Sequence, residues 1–167
     1  MLKRVLRITD LLGKGAYYLS AILIVFIGAA VIYEVFFRAA TSRSLPWVTE
    51  FSGYLLAGVI FLGLGYVYRH GGHVRMSLLL DATNPKLSRV LYWLTDLIVA
   101  TYAVIQLCKI SELAYESYIY NWRSSTTLEV PLYLPQSLMV LGALIFVLEI
   151  INTAFSRTLR ESIKGAQ

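Results

Sequence analysis

Apolar residues dominate four long runs of this chain, about 15–38, 47–69, 86–118 and 131–155, while ionisable residues gather at the ends of those runs. Each run reaches or exceeds the roughly 20 residues a helix needs to cross the hydrocarbon of a bilayer. The runs are uniformly apolar rather than alternating, which excludes the strands of a membrane barrel. Backbone groups in lipid must then be satisfied within helices. The pattern predicts an all-α membrane protein, residues 1–167 forming a single domain of four transmembrane helices. No internal repeat, low-complexity segment or dividing linker interrupts it.

Residues 1–14 carry a different pattern. Leu2, Val5, Leu6 and Leu12 fall near one helical face, and Lys3, Arg4, Arg7 and Lys14 occupy the other. This predicts an amphipathic N-terminal interfacial helix with its cations among the lipid headgroups. A cleaved signal peptide, ending near Ala39–Ala40, is the competing reading. The first apolar run exceeds the roughly 7–15 residues of a signal core, which favours a retained span.

Proline marks the other boundaries. Pro46 suits the first turn of the second helix, where its missing N–H costs nothing. Asn84-Pro85 reads as N-cap and first residue of the third, and Pro131 and Pro135 begin the fourth. The third helix, to about Tyr118, is longer than a bilayer requires, so it tilts or projects with Lys109, Glu112 and Glu116 at its wet end. Residues 121–130 form a polar loop. In the second helix the Gly53/Ala57 spacing is a small-xxx-small pair that permits close approach by another helix.

Composition agrees: 57% apolar residues, 15% charged residues and a mean hydropathy of +0.65 suit lipid as the solvent of the outward faces. The net charge of +5 points to a membrane surface and not to nucleic acid, because the cations are divided among short segments flanking the spans. Of the 15 Lys and Arg, all but Arg38, Arg43, Lys109 and Arg123 fall in residues 1–14, 69–89 and 157–167. The positive-inside rule therefore predicts cytoplasmic N- and C-termini and a cytoplasmic middle loop. The lone Cys108 excludes an internal disulfide or thiolate cluster.

Few residues offer chemistry. Glu34 lies about 27 Å along its helix from Ala16, near the far interface, and Arg38 one turn later suggests an i,i+4 ion pair. Glu50, one turn after Trp47, is placed to cap its own helix start or to pair with Arg38. Asp96 is the deepest ionisable group, about 9–16 Å into its helix, and suits a hydrogen bond to a neighbouring helix. Glu149 lies where a Lys or Arg from the termini can reach it. His70 and His73, three residues apart in a Gly-Gly turn, do not complete a zinc site even with Asp81. No cofactor or catalytic constellation is predicted.

The chain resembles the small membrane subunit, the Q or DctQ-type component, of tripartite ATP-independent periplasmic (TRAP) transporters. The likeness covers nearly its whole length. It is carried by Arg38, Pro46-Trp47-x-x-Glu50, Gly72-His73-Val74-Arg75-Met76, the run from Thr127 to Leu132, and Gly142. Ser77 departs from it, where the family often has an acid. The resemblance implies a non-catalytic subunit that braces a large elevator-type (M-type) subunit. That subunit would carry out sodium-coupled uptake of organic acids, sialic acid or C4-dicarboxylates for example, delivered by a periplasmic binding protein. It also implies a bacterial inner-membrane location. Arg38, Trp47 and Glu50 are then expected to form a structural cluster on the periplasmic side, with Gly53, Ala57, Asp96 and Glu149 as further interface candidates. His73 and Arg75 would fix the cytoplasmic turn. The rivals are a homodimeric proton-coupled multidrug-type antiporter using Glu34 or Asp96, a membrane anchor for a redox enzyme, and a tetraspan assembly factor.

Overall fold

The computed structural model describes residues 2–70, 85–126 and 128–164, with side chains placed over 9–70, Leu87, 90–91, 93–126 and 128–154. Four helices account for most of them: α1 (Leu2–Thr41), α2 (Pro46–Arg69), α3 (Pro85–Ile119) and α4 (Tyr133–Lys164). Each holds a stretch long and apolar enough to cross a membrane. Pro46 is the first residue of α2, following Leu45 in extended conformation. Helix α4 begins at Tyr133 rather than Pro131, because Pro131 pairs with Arg123 in an isolated bridge. Beside it, the Leu132 N–H donates to the Trp122 carbonyl.

No break separates residues 2–14 from the first span. Helix α1 is continuous over 40 residues, about 60 Å at 1.5 Å per residue. Its early turns stay on the helix axis because Thr9, Asp10 and Gly13 pack against the ends of α2 and α4.

The helices form a row instead of a closed ring. α2 and α4 make the central pair, α1 packs on α2 and more lightly on α4, and α3 packs on α4. Among the described residues α3 has no close backbone approach to α1 or α2, so the order across the row is α1, α2, α4, α3. The outer helices each turn one stripe inward. On α1 the buried and half-buried positions Gly13, Ala16, Ser20, Leu23, Ile27, Ala30 and Glu34 recur every three or four residues. On α3 the corresponding positions are Asp96, Val99, Ala103, Leu107, Ile110, Ala114 and Ser117.

Small residues let the central pair approach closely. A Cβ on Gly142 would stand 2.6 Å from the Phe61 carbonyl carbon and 2.8 Å from the Leu62 nitrogen, so the two backbones nearly touch there. Gly65 meets the Phe146 Cα at 3.4 Å in the same sense, and Gly58 packs on Leu138. Around this seam lie two apolar clusters. Phe61, Ala143 and Ile110 form one, and Tyr68, Phe146, Ile150 and Ala103 the other. Most remaining large apolar side chains are exposed, including Phe26, Phe36, Leu97, Tyr102 and Ile151. Lipid solvates such faces in a bilayer, where they need no further burial.

Candidate functional site

Among the described residues, the side-chain polar contacts between distant parts of the chain fall in three places. The first is at the end where α1 starts and α2 and α4 finish. Glu149 of α4 is 1% exposed, and its Oε2 accepts from Nη1 of Arg69, the last residue of α2, at 3.2 Å. The same guanidinium nitrogen lies 3.1 Å from Asp10 Oδ1 of α1, and Lys14 is 3.2 Å from the other Asp10 oxygen. Asn152 Nδ2 donates to Thr9 Oγ1 at 2.7 Å. Gly13 leaves room for the Glu149 carboxylate, which a Cβ there would overlap. One buried acid is thus neutralised by one Arg that also holds α1. The expected partner for Glu149 was a cation from the chain termini; Arg69 supplies it because the end of α2 lies directly beside Glu149 in the central pair. Nearby, Tyr66 stacks between Tyr17 and His70, with ring centroids 4.2 Å and 3.9 Å away.

The second place bridges α2 and α3. Tyr68 Oη donates to Asp96 Oδ1 at 2.7 Å, the interhelical hydrogen bond that the position of Asp96 suggests. The third lies at the opposite end of the row. Glu50 accepts from Tyr54 Oη at 2.8 Å through one oxygen and from Thr126 Oγ1, in the α3–α4 loop, through the other. Ser124 Oγ bonds Thr126 Oγ1 at 3.0 Å and accepts from the Thr126 N–H at 3.3 Å. The loop is shaped by the end of α3. Asn121 is left-handed, with φ 50°, and the Trp122 N–H reaches back to the Ser117 carbonyl at 2.9 Å. This is a Schellman cap with asparagine where glycine is usual.

The residues singled out from the sequence are only partly brought together. No ion pair or hydrogen bond joins Arg38 to Glu50 or to Glu34 among the described residues; Glu50 turns to the α3–α4 loop instead. Glu34 is 8% exposed because it belongs to the inward stripe of α1, whereas Arg38, four residues on, is exposed. The i,i+4 pair expected between them therefore does not form. Trp47 is largely exposed next to the buried Val48. A Cβ on Gly53 would meet nothing within 4 Å, so it is not where these four helices meet; Gly58, Gly65 and Gly142 are. Ala57 is half-buried. His73 and Arg75 lie outside the described residues. Sequence reasoning also misses Tyr68, Thr126 and Arg69 as partners, although an Arg closing one span, with a buried acid in another, is a usable signal.

Four spans and acids held between helices indicate a membrane component. Comparison with family models then gives a match over residues 27–160 to the DctQ component of tripartite ATP-independent periplasmic transporters. The chain belongs to this family. No curated protein and no solved structure matches it. The DctQ match spans the end of α1, all of α2 and α3, and α4 almost to its end, so it includes the Arg69–Glu149 contact, the Tyr68–Asp96 bond and the Glu50 cluster. This DctQ-type chain is accordingly the small subunit of a TRAP transporter and a multi-pass membrane protein.

Proposed function

We propose that this subunit is non-catalytic and braces a large elevator-type TRAP subunit in the bacterial inner membrane. The assembled transporter takes up organic acids, carboxylates such as sialic acid or C4-dicarboxylates, coupled to sodium and delivered by a periplasmic binding protein. The observation that carries this reading is that Asp96 and the buried Glu149 are bonded to neighbouring helices. A proton or ion relay needs such groups to exchange with a pathway; here they fasten helices. Both chain ends and the 69–89 segment face the cytoplasm, the side on which Lys and Arg are concentrated. Arg38, Trp47 and Glu50 then lie on the periplasmic side, and Gly53 and Ala57 are free to meet the large subunit.

Native purification followed by mass analysis tests this directly. A large polytopic partner should accompany the chain, and proteoliposomes holding this chain alone should show no sodium-driven uptake of carboxylates. Uptake by the lone chain, dependent on a proton gradient, would establish the antiporter instead.

A further inference from the structure

Helix α3 is the least supported member of the row, since among the described residues its backbone packs only on α4. Yet it is joined to α2, across α4, at two distant points. Within its first half Asp96 accepts from Tyr68. Beyond its finish Thr126 donates to Glu50. Glu50 and Tyr68 lie 18 residues apart on α2, about 27 Å of helix, so the ties are nearly a bilayer apart. Between them, among the described residues, apolar contacts through Ala103, Leu107 and Ile110 help hold α3. Such contacts resist separation but resist sliding and tilting poorly, because a lipid-facing neighbour is as apolar as a helix. Directional hydrogen bonds at two distant points remove that freedom.

We propose that Glu50 and Asp96 are a matched pair of positioning residues that fix the tilt and register of α3 against α2. Each acts as a hydrogen-bond acceptor, and neither needs to change its protonation. Thr126 is itself held by Ser124, so the far tie grips the loop through two residues. The role rests on the bracing function proposed above: a brace transmits load only if its outer helix cannot swing.

Paired spin labels in the purified chain, on a Cys108→Ser background, measure this. One pair, Phe51→Cys with Tyr115→Cys, reports the Glu50 end; the other, Val67→Cys with Val90→Cys, reports the Asp96 end. All four positions are exposed. Glu50→Ala should broaden the distance distribution of the first pair about twofold and leave the second unchanged. Tyr68→Phe and Asp96→Ala should do the converse. Asp96→Asn, which keeps an oxygen to accept from Tyr68, should match the wild type in both spectra and uptake. Unchanged width at the Glu50 end in Glu50→Ala, or Asp96→Asn behaving like Asp96→Ala, overturns the proposal. Widths that respond as stated while uptake by the full complex is unaffected by Glu50→Ala and Tyr68→Phe would uphold the ties and overturn the bracing function on which they were given meaning.

Discussion

At Gly142 a methyl group would have to occupy space held by the backbone at Phe61 and Leu62. Backbone cannot rotate aside as a flexible side chain can, so Gly142→Ala must push α2 and α4 apart. The expected cost is about 1–3 kcal/mol, the usual range for overpacking a close-packed interface, read as a lower melting temperature in detergent. Gly53→Ala, with open space around it in the chain alone, should not lower that temperature. Arg69 is the second sensitive residue. Arg69→Ala would leave Glu149 buried and facing the like charge of Asp10, and removing one partner of a buried pair costs about 3–5 kcal/mol. Arg69→Ala combined with Glu149→Leu should recover much of that loss in the same melting measurement. Glycine as a contact residue was legible in the sequence, but the particular glycines were not. Composition shows where a helix is thin, whereas only a facing helix shows which thin place is used.

Among the elements, the end of α3 makes a clean test of local chemistry. Asn121 holds the left-handed position of a Schellman cap, a conformation that glycine adopts freely and a β-branched residue does not. Asn121→Gly should melt like the wild type. Asn121→Val should lose about 1–2 kcal/mol, because a β-branched residue bears the left-handed penalty that asparagine's short polar side chain relieves, and should loosen the loop that carries Thr126, visible as faster amide exchange at Ser124 and Leu132. Helix positions could be read in advance from apolar runs and prolines, because those signals are local. The continuity of α1 could not. Its first 14 residues have the pattern of a surface helix, but Asp10 and Gly13 find partners on α2 and α4 that the pattern does not contain. Glu34 and Arg38 likewise look paired by spacing. They part because one lies on the inward stripe and the other does not.

For the whole molecule, the family match and the four spans make a TRAP small subunit, and the open row of helices gives that subunit broad apolar faces and no closed core. Its behaviour should therefore depend on company. Coexpression with the large subunit is expected to raise the melting temperature and the yield of this chain, while Arg38→Ala or Glu50→Ala should lower complex recovery in native purification; wild-type recovery for both would remove the end of the molecule that joins α1 to α2 from the assembly. The sequence by itself determined the solvent, the number of helices and the approximate place of most of their ends, since hydropathy and proline act residue by residue. It also carried the family, in short motifs spread along the chain. Only the tertiary structure decided the order α1, α2, α4, α3, the use of Gly142 and Gly65 as the seam, and the pairing of Asp96 with Tyr68, Glu149 with Arg69 and Glu50 with Thr126. The reason is physical. In a bilayer the faces that meet lipid and the faces that meet helices are equally apolar, so hydrophobicity no longer points inward, and the arrangement rests on shape and on a few polar bonds between residues far apart in the chain.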